Sequence, residues 1–223
     1  SAENAVVTQN QTEFSDQPLE LNCGDWVATD EGVYRINQTG SRDYACHHAI
    51  TLLARLEDHD SKTTQFVLGY RMPGEAAKWQ DLVVDNYDLS TTAGVTKLST
   101  WGIGVTSLTA NKLVDYFNTL KMLNYDQIPV RSSIKRMGYI PGMGFAPYSD
   151  KLVFGAAAEF RTLYDAICEK GQYEAWLDIA KECREESIAA HIMLSASFAS
   201  PLLALVGSLP FLVHLWSPDG GTG

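Results

Sequence analysis

Positive charge is scarce in this chain. Seventeen Lys and Arg stand against 27 Asp and Glu, a formal charge of −10 over 223 residues. An acidic chain repels phosphate backbones, which excludes a binder that grips nucleic acid by bulk electrostatics and leaves room only for a local basic patch. Cysteine is scarce too: Cys23, Cys46, Cys168 and Cys183 are the only four, and they are widely spaced. That excludes a dense disulfide scaffold and points to reduced thiols in a cytosolic setting. The opening "SAENAVVTQN" has neither a basic start nor an apolar core, so no secretory leader is expected there. Long apolar runs are also missing. The best, Ile188 to Leu205, lacks Asp, Glu, Lys and Arg but holds His191, Pro201 and three serines. It reads as a buried helix, not a membrane span, and no membrane partner is expected.

Apolar residues make up 45 %, enough for a proper core. Residues 1–18 are polar and read as a loose arm or an edge strand. "WVATDEGVYRI" then shows two β-prone runs about an Asp30-Glu31-Gly32 turn. "AITLLARLED" and "TTQFVLGYRM" flank "HDSK" as a hairpin, with Leu52, Ala54 and Leu56 on one face of the first strand. Phe66, Leu68 and Tyr70 share one face of the second. "KWQDLVVD" adds a strand, so the first ninety residues predict an antiparallel sheet. The period then changes. "SLTANKLVDYFNTLKML" predicts a helix capped at Ser107 or Thr109, with Leu113, Phe117 and Leu120 in one stripe. "EFRTLYDAICEKG" predicts another, with Phe160, Leu163, Tyr164 and Ile167 inward and Gly171 as its stop. "QYEAWLDIAKEC" predicts a third, with Tyr173, Trp176, Leu177 and Ala180 inward and an acidic outer face. A long helix from about residue 185 to 206 should be kinked or divided by Pro201. "LPFLVHLW" is apolar throughout, the pattern of a strand buried on both faces.

Strands first and helices later predict an α+β fold. The expected organisation is a polar arm and first strand over 1–30 and a β-rich domain with one helix over 31–155. A helical segment over 156–223 ends in a buried strand and a phosphate-loop-like turn. That turn lies in "HLWSPDGGTG". Pro218 to Gly223 overlie the first six positions of G-x-x-x-x-G-K-[ST], with Pro218 in place of the first glycine. Gly220, Gly221, Thr222 and Gly223 are the candidate phosphate contacts, because glycine lets backbone N–H groups approach phosphate oxygens. The motif's lysine and Mg²⁺-binding hydroxyl have no counterpart in the chain, so a glycine-rich tail is the competing reading.

Two further clusters bear on chemistry. "YACHHAI" sets Cys46, His47 and His48 in a row; Cys46 and His48 would share one side of a strand, with His59 across the hairpin. No fourth ligand is evident, and no metal site is expected. Arg131, Lys135 and Arg136 form the one local basic group, interleaved with Met137, Tyr139 and Phe145. Cations for phosphate beside rings for base stacking suit a single strand, so these three are the candidate nucleic-acid contacts. No Ser-His-Asp or Cys-His arrangement has a supporting motif.

Three stretches together resemble the domain-of-unknown-function 927 family: "RSSIKRMGYIPGMGFAPY" (131–148), "SASFASPLLALVGSLPFLVHLW" (195–216) and the "GGTG" that follows. The segment 111–129 is similar too, and the resemblance extends over roughly residues 45–223. It implies the N-terminal accessory region of a DNA-replication helicase or primase-helicase of a phage or mobile element, working in the cytoplasm of a bacterial or phage-infected cell. The run from residue 209 would then enter a P-loop ATPase core. ATP and Mg would belong to the longer parent, which the resemblance implies is a homo-oligomer, and no cofactor is expected in this stretch. The expected partner is single-stranded DNA. The other reading, which the net charge favours, is a non-enzymatic interaction or oligomerisation module that docks a partner on its acidic helical face.

Overall fold

The computed structural model describes residues 9–74, 78–156, 158–203 and 205–216. The chain divides into two compact units, Ser1–Ser133 and Ile134–Gly223. The architecture is α+β, as the element order predicts.

The first unit opens with a short antiparallel pair, β1 (Asn10–Gln11) and β2 (Asn22–Gly24). A three-stranded antiparallel sheet follows: β3 (Val27–Thr29), β4 (Gly32–Ile36) and β5 (Arg42–Cys46). The main sheet is built on the expected hairpin, β6 (Ala49–Asp58) and β7 (Thr64–Arg71), extended by β8 (Gln80–Asp85). Leu52, Ala54, Leu56, Phe66, Leu68 and Tyr70 are all buried, but burial alternates only from Leu52 to Glu57: in β7 Gln65 and Val67 are buried too, and the pairing register shifts between Leu52 and Ala54. The sheet is not purely antiparallel. β9 (Val130–Ile134) returns to run parallel beside β6, with Arg131 opposite Leu56, so this unit carries the strand order β9–β6–β7–β8. A parallel neighbour needs a long crossover, and here 44 residues separate Asp85 from Val130.

The crossover holds three helices where the sequence predicts one: α1 (Asn86–Leu89), α2 (Thr92–Lys97) and α3 (Ala110–Leu123). The first two have only four and six residues, too short for an apolar period to be read. They turn tightly against each other at Gly94, where an added Cβ would sit 2.3 Å from Asp88 Cα. α3 does start after Thr109, but the Thr109 hydroxyl accepts from Thr106 N–H at 3.0 Å instead of capping the helix. Its apolar stripe is the lid of the core: Leu113, Tyr116, Phe117 and Leu120 are 0 % exposed. Each such side chain contributes roughly 1.5–3 kcal/mol on burial. The far end of α3 is fixed by Asn124. Its amide donates to Leu120 O (2.8 Å) and Asn22 O (2.7 Å), and its carbonyl accepts from Asn22 N–H at 2.7 Å.

Cys23 and Cys46 sit in this core, and burial pushes both thiols up to about 11. Cys168 and Cys183, in the second unit, are exposed. Because the thiolate is the nucleophile, a disulfide reagent at pH 8 should label two thiols of the native protein rapidly and four after unfolding. Rapid labelling of all four in the native state would contradict the buried placement.

The second unit has a small sheet core. Its antiparallel pair is β10 (Gly138–Ile140) and β11 (Gly144–Ala146); β12 (Leu152–Phe154) is not part of that pair. Ile134, Ile140, Ala146, Leu152, Phe154 and Tyr164 are buried together, and the Phe154 and Tyr164 rings stack at 4.1 Å. Three helices follow: α4 (Ala158–Ala166), α5 (Tyr173–Glu186) and α6 (Ile188–Ala199). Ser187 separates α5 from α6 and caps the latter, its hydroxyl accepting from Ala190 N–H. At Pro201 the chain tightens into a 3₁₀ turn over Ser200–Leu202, as a ring without an N–H requires. Among the described residues no helix is long and apolar enough to cross a membrane.

The inward stripes expected on α4 and α5 are corrected by the structure. Tyr164 and Ala180 are buried, but Phe160, Leu163, Ile167, Tyr173 and Trp176 are exposed. The buried strand expected over 210–216 is corrected as well. Residues 208–216 take no regular structure, and Leu209, Leu212 and Trp216 are 84, 90 and 78 % exposed. A strand apolar on both faces is stable only between neighbours and under cover on each side, and the described residues supply neither.

Candidate nucleic-acid interface

The β10–β11 hairpin shows how the basic group is set. In strands, alternate residues face opposite sides. Ile140 and Ala146 point into the small core, so Tyr139 and Phe145 fall on the outer face, directly opposite each other in register. Directly opposed pairs have their Cβ atoms about 4.5–5.5 Å apart. Tyr148, 57 % exposed, extends the face; its ring lies 6.1 Å from Phe145 with only 24° between the planes. The turn beyond Ile140 is closed by Met143 N–H donating to Ile140 O at 3.0 Å and by the Ser149 hydroxyl donating to Met143 O. The turn carries Gly142 and Gly144 with φ of 75° and 102°, conformations that disfavour side chains.

Lys135 and Arg136 enter this hairpin from its N-terminal side. Lys135 is exposed. Arg136 is half-buried, its guanidinium reaching Tyr139 O at 3.5 Å, so one of the three cations also steadies the strand that displays Tyr139. Arg131 belongs to the first unit, exposed on β9. Lys135 and Arg136 are thus placed beside an aromatic face. Tyr148 extends the face beyond the residues singled out by sequence; the alternation Gly144-Phe145-Ala146 is the signal for the face, but the stacking of Tyr148 depends on the turn after it. Parallel or near-parallel rings with open faces, flanked by cations, can stack unpaired bases and neutralise the phosphates between them.

The other candidates fare differently. Gly220, Gly221, Thr222 and Gly223 lie outside the described residues. The Cys46-His47-His48 row is not a continuous strand. β5 ends at Cys46, and the histidines form a bend in which exposed His47 stacks on Tyr44 at 4.2 Å. Burial, then the neighbouring His47, pushes the His48 imidazole below its ordinary value. Among the described residues no group of three or more His, Cys, Asp or Glu is set to hold a metal ion.

A further concavity of about 320 Å³ lies in the first unit, beside the C-terminal half of α3. Arg55, Phe66, Asn86, Lys121 and Tyr125 contribute to its walls. The sequence offers no signal for it, because these five residues come from four separate segments.

No curated protein matches the chain. Among solved structures the chain is similar to one described as "SCCmec type IV Cch - active helicase", at 12 % identity and a TM-score of 0.42. That likeness covers 74 % of this chain and 30 % of the other, so the chain spans less than a third of that protein's length. The sequence also matches the family described as "Domain of unknown function (DUF927)" over residues 26–220. With most of its length inside that match, the chain belongs to the DUF927 family.

Proposed function

We propose that the chain is a non-catalytic accessory region that holds a DNA single strand for a helicase-like P-loop ATPase core carried by the same, longer protein. The observation that carries this reading is the outer face of the β10–β11 hairpin, where Tyr139, Phe145 and Tyr148 stand beside Lys135 and Arg136. The link to an ATPase rests on the family resemblance, and the apolar run over 209–216 supports it. A run so exposed here, and apolar on both faces, suits a strand completed by a sheet that the described residues do not contain. In the parent, ATP and Mg would be held by the completed phosphate loop, and a DNA-replication role in a phage or mobile element follows the same resemblance.

The test is anisotropy of a labelled oligothymidylate titrated with the chain at several salt concentrations. Binding should weaken as salt rises, with a slope of about −0.7 per phosphate neutralised. Lys135→Ala should lower affinity and reduce the slope by about 0.7, because an exposed lysine acts as a point charge. Arg136→Ala should lower both as well. Absence of binding even at low salt would remove this reading and favour the protein-interaction module.

A further inference from the structure

Lys121 is an unusual cation for so acidic a chain. It is half-buried on α3, and its ammonium donates to two neutral oxygens, Asn86 Oδ1 at 3.1 Å and Ser90 Oγ at 2.9 Å. Among the described residues it forms no ion pair, and burial alone pushes its pKa below the ordinary 10.5. An ammonium has three N–H donors. Two are occupied here, and burying a charge without a counter-charge costs free energy that a bound anion would return. The ammonium also lies 5.9 Å from the centre of the Phe66 ring, which forms part of the same cleft.

One turn further on, Tyr125 remains 61 % exposed although Arg55 lies against it. The guanidinium of Arg55 sits 3.9 Å from the ring centre, and its Nη1 reaches Tyr125 O at 3.5 Å. Its Nη2 is 3.6 Å from Glu57 Oε1, and its Nε is buried without a hydrogen-bond partner. One face of the phenol is backed by a cation, and the residue as a whole stays largely exposed. A ring held in this way is a stacking surface that loses little entropy on use. The cleft as a whole carries two cations against one carboxylate, and its 320 Å³ falls at the small end of the roughly 300–1,000 Å³ typical of ligand sites.

We propose that the Lys121–Tyr125 cleft binds one nucleotide unit, its phosphate on Lys121 and its base on the ring of Tyr125, with Arg55 backing that ring. This site is separate from the hairpin of the second unit and goes beyond the role proposed for that hairpin. A free nucleotide and one residue of a single strand present the same chemistry to it.

Calorimetry of the whole chain separates these sources, using thymidine 5′-monophosphate, thymidine, inorganic phosphate and a short oligothymidylate. The monophosphate should bind at least about tenfold more tightly than thymidine or phosphate alone, since each lacks one of the two contacts. Lys121→Met, which keeps the stem and removes the charge, should weaken binding by about tenfold or more. Tyr125→Ala should cost about as much, and Tyr125→Phe should retain the affinity because the ring is kept. Tyr125 is exposed, so these two variants report on the cleft even if Lys121→Met disturbs the packing of α3. If only the oligothymidylate binds, and Lys121→Met and Tyr125→Ala weaken it in a Phe145→Ala/Tyr148→Ala background, the unit belongs to a strand and the cleft assignment stands. Binding that neither variant changes, or no binding of either phosphorylated ligand, overturns it.

Discussion

The double variant Phe145→Ala/Tyr148→Ala should bind an oligothymidylate on the order of a hundredfold more weakly than the unaltered chain, with its melting temperature nearly unchanged. The size follows from stacking, since each base–aromatic contact contributes about 1–3 kcal/mol and two rings are removed. The selectivity follows from position. Phe145 and Tyr148 lie on the outer face of the hairpin, away from Ile140 and Ala146, which hold it to the small core. Surface substitutions of this kind usually change stability by no more than about 0.5 kcal/mol. The salt dependence of the residual binding should be preserved, because Lys135 and Arg136 are untouched. Anisotropy and a thermal melt on the same sample check both halves. An affinity within twofold of the unaltered chain would show that the strand does not use this face.

The second large effect is on folding. Phe117→Ala should destabilise the first unit by about 3–5 kcal/mol, whereas Phe160→Ala should cost no more than about 0.5 kcal/mol. Phe117 is fully buried on α3, 5.7 Å from the Tyr116 ring, at the centre of the core that α3 closes over β6. Removing the ring leaves a cavity that close-packed neighbours cannot fill. Phe160 is 56 % exposed on α4, so little is lost with it. Denaturant unfolding of the two variants distinguishes them, and equal costs would contradict the burial assigned to α4. Phe117 also stands one turn before Lys121, so its loss should loosen the cleft as well as the core.

The same pair shows how far the sequence could be read. Phe117 and Phe160 each sit in a stripe of helical period, and the stripe states only which residues share a face. It cannot state whether another element covers that face. On α3 the strands β2, β5 and β6 do; on α4 the exposed Phe160 and Leu163 show that most of the stripe is uncovered. The hairpin β6–β7 was legible because a two-residue period and a polar turn agree locally. The parallel return of β9 was not, because it is decided by contacts between segments far apart in the chain. α1 and α2 were hidden by their shortness. At the candidate interface, the basic group and two of its aromatics were legible as neighbours in sequence. Tyr148 joined them only through the turn that follows β11. The Lys121 cleft was illegible for a simpler reason: Arg55, Phe66 and Asn86 are brought to Lys121 and Tyr125 by topology alone.

The apolar run over 209–216 is instructive in a different way. Its pattern reads as a doubly buried strand, yet the structure leaves Leu209, Leu212 and Trp216 exposed. Local pattern and local environment disagree there, because among the described residues no strand pairs with this run.

The central claim is that the β10–β11 hairpin is where this chain touches a single strand. Photocrosslinking to an oligothymidylate, followed by mapping of the modified peptides by mass spectrometry, tests it most directly. The account predicts crosslinks concentrated between Lys135 and Tyr148, on Tyr139, Phe145 or Tyr148, and lost when salt is raised. Robust crosslinking confined to other segments, with none between Lys135 and Tyr148, would contradict it.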